Sequence, residues 1–461
     1  MGVFKAYDIR GIAGTELDSD FAERLGKALA THYDAGCVSV VRDIRESSPE
    51  YHEAFVRGLL SAGADVLDLG ISTTGVLYRS TVDLPVDVSV VITASHNPPE
   101  YNGFKICHGK MPVGGEELQD IRRTFESGEF RVGNGSYKSM EEYEEEYTES
   151  IIESIGSLSR DIRVVLDCGN AVPGPLAVRV LERLGVDVIP LYCDWDSTFP
   201  NHPPDPTRQE NMSDLSRAVL EHGAEFGIGM DGDGDRLGVV DENGSFIHPD
   251  RLMGIFVHDI LSGLPEDASE EQRTIFFDVK CSMALEEAIE DLGGVPRMVR
   301  TGHTFMKLEL RDHPTSSLAG EMSGHFFMND HWDGFDDAIY CAARLLGIVG
   351  MDPSPEQGGP KFSERFGFMP EYPTTDEGKI PLVGDRDEVM EGVANAFSDM
   401  PVSTVDGIRA RYKDGWFLCR PSNTEPILVM RAEGRDQDAL DSILSDISSR
   451  IGHIVDIEKL K

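Results

Sequence analysis

One pattern of apolar and polar segments recurs three times along the chain. Each copy begins with a short apolar strand, continues through a helical stretch and a glycine, and ends in a second strand. The three copies cover residues 38–69, 164–191 and 275–299. Strands that alternate with helices of about ten residues predict right-handed βαβ units. The sequence therefore predicts three related α/β domains.

Each copy is followed by a second shared feature, in which a polar, glycine-rich loop separates two apolar runs and a helix comes next. The loops lie at residues 93–105, 231–236 and 320–325. Equivalent loops in related domains can face one another across a cleft, which is where α/β proteins bind ligands. We therefore expect the three loops to contribute to one site.

The repeated pattern ends near residue 360. Strands near residues 408–412, 416–419 and 427–432, followed by a helix at 436–451, indicate a smaller α+β domain. The Glu-rich segment 140–153 is interpreted as a solvated helix face at a domain junction. The predicted domains are 1–142, 143–248, 249–358 and 359–461.

The charge of the chain excludes several classes of partner. Its 461 residues include 42 Lys and Arg against 82 Asp and Glu, a net charge of −40. Nucleic acid and anionic lipid would each require a basic surface, so neither is an expected partner. No apolar run approaches the roughly 18 residues of a membrane span, and no export signal is recognisable, so we expect a cytoplasmic protein. Molar salt screens charges within about 3 Å, and we interpret the acidic surface as an adaptation to such a cytosol, a halophilic origin.

The middle loop offers a cation site. Asp231, Asp233 and Asp235 alternate with glycines that let the backbone curl, so their carboxylates can converge on one hard cation. An EF-hand does not fit, because its sixth position requires Gly and here holds Arg236, and because the flanks resemble strands. Three protein ligands favour Mg²⁺ completed by a phosphate oxygen. The seven Cys residues show no C-x-x-C spacing, which disfavours zinc and a disulfide framework.

The first loop places Ser95 next to His96 at the end of a predicted strand. The pair could form an activated nucleophile, and Ser95 could equally cap a turn before Asn97-Pro98. A serine hydrolase is disfavoured because the G-x-S-x-G pattern is absent around Ser95. Lysine is scarce in this chain, so Lys105 at the end of the loop suggests an ammonium opposite an anion.

Two further loops carry polar sets that suit sugar phosphates. Glu321 and Ser323 offer a carboxylate and a hydroxyl two residues apart, which suits reading of neighbouring sugar hydroxyls, although a strand-end turn explains them as well. Residues 420–426 place Arg420 before three hydrogen-bonding side chains, a set that matches a phosphate.

Together these motifs resemble the α-D-phosphohexomutase superfamily, most closely its phosphomannomutase/phosphoglucomutase branch. The resemblance extends from Tyr7-Asp8-Ile9-Arg10-Gly11 to residues 420–426, with the motifs in the family's order. It implies an α/β fold of three related domains with mixed sheets and a C-terminal α+β domain around a deep central cleft.

The resemblance also implies roles for individual residues. Ser95 would carry the phosphoryl group and would bind Mg²⁺ together with Asp231, Asp233 and Asp235. Arg10, His96 and Lys105 match residues around the transferred phosphate and proton. The remaining matches would bind substrate: Tyr7, Arg236, Lys280, His303, Glu321, Ser323, His325, and the phosphate loop Arg420, Ser422, Asn423 and Thr424.

The implied activity is interconversion of hexose 1-phosphate and hexose 6-phosphate, for mannose, glucose or both, with a hexose 1,6-bisphosphate as intermediate and priming activator. The same fold also serves phosphoglucosamine mutases and phosphopentomutases. A Mg²⁺-dependent phosphatase using an aspartate of the middle loop as nucleophile, and a non-catalytic sugar-phosphate sensor, are the alternatives from other classes. The sequence specifies no oligomeric state.

Overall fold

The structure, a computed structural model, describes residues 2–422, 426–457 and 460. None of the helices within these residues combines the length and apolar character needed to cross a bilayer. The described chain divides into three units of related topology and a C-terminal unit, each built on its own sheet.

The first unit contains seven strands and four helices. They are β1 (Ile9–Ile12), α1 (Ser19–His32), β2 (Cys37–Arg42), α2 (Ser48–Ser61), β3 (Asp65–Ile71), α3 (Thr74–Asp83), β4 (Val88–Ile92), β5 (Tyr101–His108), β6 (Met111–Pro112), α4 (Gly115–Ser127) and β7 (Tyr137–Ser139).

The second and third units share most of this arrangement. The second comprises α5 (Tyr143–Ile155), β8 (Arg163–Asp167), α6 (Gly174–Arg183), β9 (Asp187–Leu191), α7 (Ser213–His222), β10 (Phe226–Met230), β11 (Leu237–Val240) and β12 (Phe246–Ile247). The third comprises α8 (Pro249–Gly263), α9 (Glu270–Arg273), β13 (Thr274–Asp278), α10 (Met283–Asp291), β14 (Val295–Val299), α11 (His303–Asp312), β15 (Leu318–Gly320), β16 (Phe326–Met328) and α12 (Ala338–Gly350).

The three sheets repeat one strand order. Their shared parts run β3-β2-β4-β5, β9-β8-β10-β11 and β14-β13-β15-β16. In each, the central strand is parallel to both neighbours, and the last strand returns antiparallel to the third. The polar loops at residues 93–105, 231–236 and 320–325 all include the connection into this antiparallel strand. The three loops are therefore topologically equivalent, as the sequence pattern predicts.

The C-terminal unit has a different fold. It contains β17 (Gly378–Pro381), α13 (Arg386–Ala396), β18 (Val402–Ser403), β19 (Ile408–Tyr412), β20 (Gly415–Pro421), β21 (Ile427–Gly434) and α14 (Gln437–Ile451). Its five strands form an entirely antiparallel sheet in the order β17-β21-β20-β19-β18. The predicted α+β character and the last three strands are confirmed, whereas β17, α13 and β18 were not anticipated.

The cores explain how the units hold together. One continuous apolar cluster joins the first three units, with Leu77 of α3, Leu166 of β8 and Leu346 of α12 among its members. The C-terminal unit has its own core and meets the third unit through a small cluster that includes Trp416 and Met283. Because far fewer apolar side chains cross this boundary, the C-terminal unit is the one least tied to the rest.

Helix α5 accounts for the acidic segment near residue 145. Tyr143, Tyr147 and Ile151 point into the shared core, while Glu145 and Glu149 form surface ion pairs with Arg183 of α6. The segment is thus a solvated helix face between the first two units, as predicted.

Helices α1 and α2 cross at unusually short range. A Cβ atom at Gly58 would lie 2.1 Å from the Glu23 carbonyl oxygen, and one at Gly26 would lie 2.4 Å from that of Phe55. Any side chain at either position would collide with backbone, so glycine sets the distance between the helices.

Candidate active site

The three equivalent loops meet at one place. The Ser95 hydroxyl of the first loop donates a 2.7 Å hydrogen bond to Asp231 Oδ2 of the second. Asp235, in the same second loop, lies 3.2 Å from His325 Nε2 of the third. These side chains come from separate sheets and are almost fully buried. These contacts bring the three loops together, as the repeated pattern predicts.

Glycine allows the first two loops to touch. A Cβ atom at Gly232 would lie 2.1 Å from the Ser95 carbonyl oxygen, well inside any real contact distance. The absence of a side chain there brings the backbone of the acidic loop against the backbone of the serine loop. This contact holds the Ser95 hydroxyl beside the carboxylates.

Ser95 has a constrained backbone. Its φ of 49° lies in the left-handed region, and its N–H donates to Thr93 Oγ1 at 3.0 Å. His96 Nδ1 lies 3.0 Å from Ser95 Oγ. Burial, reinforced by the positive charges of Arg236 and Arg10, holds the pKa of His96 well below its usual range. Since the hydroxyl has one proton and gives it to Asp231, the neutral His96 ring donates its own Nδ1–H to Ser95.

The aspartates form a compact acidic cluster. Asp231, Asp233 and Asp235 are buried, and one ligand oxygen from each lies within 4.8 Å of the others. Burial and the neighbouring charges of Asp235 and Asp233 raise the pKa of Asp231 well above its usual range. Asp233 Oδ1 is buried with no hydrogen-bond partner among the described residues. Converging carboxylates and an unsatisfied buried oxygen fit a hard divalent cation such as Mg²⁺.

Lys105 of β5 supplies positive charge to this cluster. Its Nζ lies 2.6 Å from Asp233 Oδ2 and 2.5 Å from Asp235 Oδ2. Burial alone would lower the pKa of Lys105, but the carboxylates of Asp233 and Asp235 outweigh it and raise that pKa. The side chain is therefore a charged ammonium.

The third loop forms its own network of acceptors and donors. Glu321 Oε2 lies 2.9 Å from His325 Nδ1, and the Ser323 hydroxyl donates to the same oxygen at 3.2 Å. Burial opposes protonation of His325, but Asp235 and Glu321 raise its pKa to about 9. His325 thus connects the acidic loop to the carboxylate and hydroxyl expected to meet a sugar.

The other expected residues line the surroundings of these loops. Arg10 NH1 donates to Asn97 Oδ1 at 2.8 Å, and Arg236 Nε lies 4.0 Å from Asp231 Oδ2. The Tyr7 ring centroid lies 6.3 Å from that of His303, whose pKa is held well below its usual range by burial and by Lys307.

Two residues expected to bind substrate, Arg420 and Lys280, lie where the C-terminal unit contacts the third unit. Arg420 Nε donates to Asp406 Oδ2 at 2.7 Å, and the same oxygen accepts the Thr301 N–H at 3.1 Å. Lys280 Nζ lies 3.2 Å from Glu377 Oε2. Ser422 donates its backbone N–H to the Ile427 carbonyl, while Asn423 and Thr424 lie outside the described residues.

Sequence reasoning missed two charged pairs behind the site. Lys307 Nζ lies 2.5 Å from Asp336 Oδ1, and Asp336 Oδ2 is 3.8 Å from His303 Nδ1. Arg45 pairs with Asp43 beneath the serine loop. Alignment of the repeats would have found the second pair, because Asp-x-Arg at 43–45 occupies the place of Asp-x-Lys at 278–280.

Comparison with known protein families gives matches along most of the chain. Four phosphoglucomutase/phosphomannomutase models match: alpha/beta/alpha domain I over residues 1–132, domain II over 141–244, domain III over 248–372 and the C-terminal domain over 377–449. Their order follows the four units of the structure.

Individual relatives give the same result. The chain is 39% identical to a phosphomannomutase/phosphoglucomutase of Pseudomonas aeruginosa, over 96% of this chain and 93% of that one. It is 38% identical to a phosphoglucomutase of Neisseria gonorrhoeae, over 96% and 95%.

Among solved structures, a phosphoglucomutase/phosphomannomutase family protein of Burkholderia thailandensis superposes with a TM-score of 0.89 at 37% identity, covering 98% of this chain and 97% of that one. The fold class predicted from the sequence is confirmed, and so is the resemblance drawn from the motifs. With three α/β units, a separate C-terminal unit and matches over nearly its whole length, the chain belongs to the phosphoglucomutase/phosphomannomutase family.

Proposed function

We propose that this protein is a phosphohexomutase that interconverts hexose 1-phosphate and hexose 6-phosphate, for mannose, glucose or both, with Ser95 as the phosphoryl carrier. The observation that carries the proposal is the 2.7 Å contact between the Ser95 hydroxyl and Asp231 within a buried acidic cluster. A phosphoryl group on that hydroxyl would lie beside residues suited to a divalent cation. The relatives named phosphomannomutase/phosphoglucomutase and phosphoglucomutase support the same activity.

The cation belongs to the acidic loop in this proposal. Asp231, Asp233 and Asp235 would hold Mg²⁺ together with an oxygen on Ser95. When bound, Mg²⁺ supplies positive charge that balances the phosphoryl oxygens. Lys105 and Arg236 add positive charge from the protein, which a chain of net charge −40 requires where it binds a doubly charged substrate.

The first transfer moves the phosphoryl group from Ser95 Oγ to a sugar hydroxyl. The bond from phosphorus to Ser95 Oγ breaks as the bond to the sugar oxygen forms, and the hydroxyl loses its proton. Arg10 carries the permanent charge of a guanidinium, and Asp233 and Asp235 hold Lys105 as an ammonium, whereas burial and the nearby arginines keep the His96 ring neutral. We therefore assign the unprotonated Nε2 of the neutral His96 ring as the proton acceptor, and Arg10 and Lys105 as the groups that position the phosphoryl oxygens.

The second transfer requires the bisphosphorylated sugar to turn end for end. The phosphate at the other end then returns to Ser95, and the sugar oxygen that leaves takes back the proton. Glu321 and Ser323 would read the sugar hydroxyls in both orientations. The other cleft residues that would contact the sugar are Tyr7, Lys280, His303 and His325. The second phosphate would be bound by a loop of the C-terminal unit, formed by Arg420, Ser422, Asn423 and Thr424.

Two further parts of the proposal concern conditions for activity. A hexose 1,6-bisphosphate would prime an enzyme whose serine has lost its phosphate, because it can donate one phosphoryl group and leave as product. We also propose that the enzyme is cytoplasmic and has no nucleic acid partner. Its acidic surface supports a halophilic origin. Melting across a salt series tests the halophilic part, since stability that does not fall at low salt would contradict it.

Mass spectrometry and isotope transfer test the function. After incubation with a hexose 1,6-bisphosphate, an acid-stable phosphate is expected on Ser95, and ³²P should exchange between C1 and C6 of the sugar. An acyl phosphate on Asp231 would instead indicate the phosphatase, and binding without exchange would indicate a sensor. The 1-phosphates of glucose, mannose, glucosamine and ribose, assayed in high salt, would separate the hexomutase from glucosamine and pentose mutases.

A further inference from the structure

Arg45 is a buried arginine in the turn between β2 and α2. Its exposed fraction is 1%, and it donates a 3.1 Å hydrogen bond from Nε to Asp43 Oδ2. Its remaining donors go to four backbone carbonyls of one short segment, those of Ser95 at 2.7 Å, Asn97 at 2.7 Å, Pro98 at 2.7 Å and Tyr101 at 3.0 Å. This segment, residues 95–101, is the loop that carries the candidate nucleophile.

The guanidinium supplies the hydrogen bonds that regular secondary structure would otherwise give to the carbonyls of this loop. Ser95 has a left-handed φ of 49°, so its carbonyl cannot join the ladder of β4 and β5. Burial lowers the pKa of Arg45, partly offset by Asp43, and a buried charge of this kind is tolerated only when its hydrogen bonds are complete. Arg45 and the loop carbonyls therefore satisfy one another, and the loop conformation depends on the arginine.

The internal repeat shows that this turn is not an isolated feature. At the end of each central strand an aspartate Oδ1 accepts a backbone N–H two residues on: Asp43 from Arg45, Asp167 from Gly169 and Asp278 from Lys280. The first and third copies place a cation at that second position. Lys280 projects toward Glu377 of the C-terminal unit, whereas Arg45 is turned inward beneath Ser95.

We propose that Arg45 is a positioning residue for phosphoryl transfer, one that holds residues 95–101 so that Ser95 Oγ stays at the Asp231 carboxylate. The role rests on the proposed function of Ser95. Arg45 reaches Ser95 only through its carbonyl oxygen, and Gly232 packs against that same oxygen. The arginine therefore fixes the atom at which the serine and acidic loops meet.

Arg45→Lys tests the role while keeping the charge. An ammonium donates from a single point and cannot reach four carbonyls that a planar guanidinium spans. We expect kcat to fall about 10- to 100-fold, as misplacement of a reacting group by about 1 Å does, with KM changing less than about twofold. KM should change little because the groups proposed to bind the sugar and the second phosphate lie on other loops.

Arg160→Lys is the matched control. Arg160 is also largely buried and bridges a carboxylate, Glu225, and backbone carbonyls that include those of Asp352 and Val349. It has no contact with the serine loop, so its variant should lose stability and keep wild-type kcat. Equal losses of kcat in the two variants would show a general folding defect and overturn the proposal, as would a folded Arg45→Lys enzyme with wild-type kcat.

A single-turnover measurement separates this role from the function of Ser95. Enzyme phosphorylated beforehand by a hexose 1,6-bisphosphate is mixed with hexose phosphate, and the decay of the Ser95 phosphate is followed. Wild-type enzyme without phosphate on Ser95 would refute the proposed function. Phosphorylated Arg45→Lys that transfers at the wild-type rate would refute only the positioning role.

A second variant serves if Arg45→Lys does not fold. Asp43→Asn removes the charge that orients the guanidinium and leaves the four carbonyl contacts available. A fall of about 3- to 10-fold in the transfer rate, with KM unchanged, is expected from partial misplacement of the loop. An unchanged transfer rate in folded Asp43→Asn would overturn the proposal.

Discussion

The serine loop and the acidic loop occupy equivalent places in two related units but are held in different ways. In the acidic loop, Asp231 Oδ1 accepts the backbone N–H groups of Asp235 and Arg236, so the loop is closed by its own atoms. The serine loop is held from outside by Arg45, about fifty residues earlier in the chain. Equivalent positions in a repeat can therefore share a geometry that different contacts maintain. Substitutions in the serine loop and in the acidic loop should therefore impair the enzyme in different ways.

The largest effect is expected for Ser95→Ala, which removes the only atom proposed to carry the phosphoryl group. Turnover should fall by at least about 10⁴-fold, as loss of a covalent nucleophile does, while the fold remains intact because the side chain is small. Steady-state kinetics and phosphate analysis measure the change. Ser139→Ala, on an exposed strand of the same unit, is the control. Mutase rates like those of the wild type would refute the phosphoserine.

Asp233→Asn should change the metal requirement rather than the loop. The backbone closure of the acidic loop depends on Asp231, so the variant keeps its shape and loses one charged oxygen from the cation site. We expect the Mg²⁺ concentration for half-maximal activity to rise about 100-fold. Titration calorimetry with Mg²⁺ provides a readout independent of activity, and exposed Asp187→Asn is the control. An unchanged titration would remove this loop from the mechanism.

Gly232→Ala tests the contact between the two loops. The added Cβ would lie 2.1 Å from the Ser95 carbonyl oxygen, so the loops must separate. A displacement of about 1 Å predicts a fall in kcat of about 10- to 100-fold. Gly223→Ala is unsuitable as a control because its φ is 60°, whereas Gly263→Ala, with open space around it, is suitable. If Gly232→Ala keeps wild-type kcat, the close approach has no part in catalysis.

The smallest effect is expected for the ion pair of Asp167 and His202. Asp167 occupies, in the second unit, the place that Asp43 has in the first. His202 Nε2 lies 3.0 Å from Asp167 Oδ2, and although burial lowers its pKa, Asp167 outweighs burial and raises it. A raised folded-state pKa stabilises the protein fully below the unfolded value near 6.5, and the stabilisation is lost as pH rises through the folded pKa.

His202→Gln should therefore lower the free energy of unfolding by about 1 kcal/mol at pH 6 and by less as pH rises. Denaturant unfolding at fixed salt measures the difference, with exposed His453→Gln as the control. A difference from wild type that grows with pH would contradict the charged pair.

The sequence allowed prediction of those features that depend on local pattern. The strands and helices of the three repeated units and the three equivalent loops follow from hydrophobic periodicity, and Asp231, Asp233 and Asp235 are recognisable from their spacing alone. Lys105 was expected to face an anion, and its partners are the aspartates themselves. The proximity of the serine loop and the acidic loop could be predicted only from their equivalent places in the repeat.

Other features depend on contacts that no local pattern records. Arg45 lies in an ordinary polar turn, and its meaning comes from carbonyls about fifty residues later. The partnership of Asp336 with Lys307 and His303 likewise joins separate elements. Strand β17 was missed because Gly378–Pro381 is short and contains proline, and it is recognisable only through its pairing with β21.

A substitution at the crossing of α1 and α2 can displace the serine loop, although the crossing lies far from it. Helix α2 begins directly after the turn of Arg45, and Ser48 at its first residue donates to Asp43. A methyl group at Gly58 would push this helix away from the carbonyl of Glu23 and would shift its base. A substitution at that remote crossing, inherited or engineered, would then give an enzyme that folds and binds its sugar but has a low kcat.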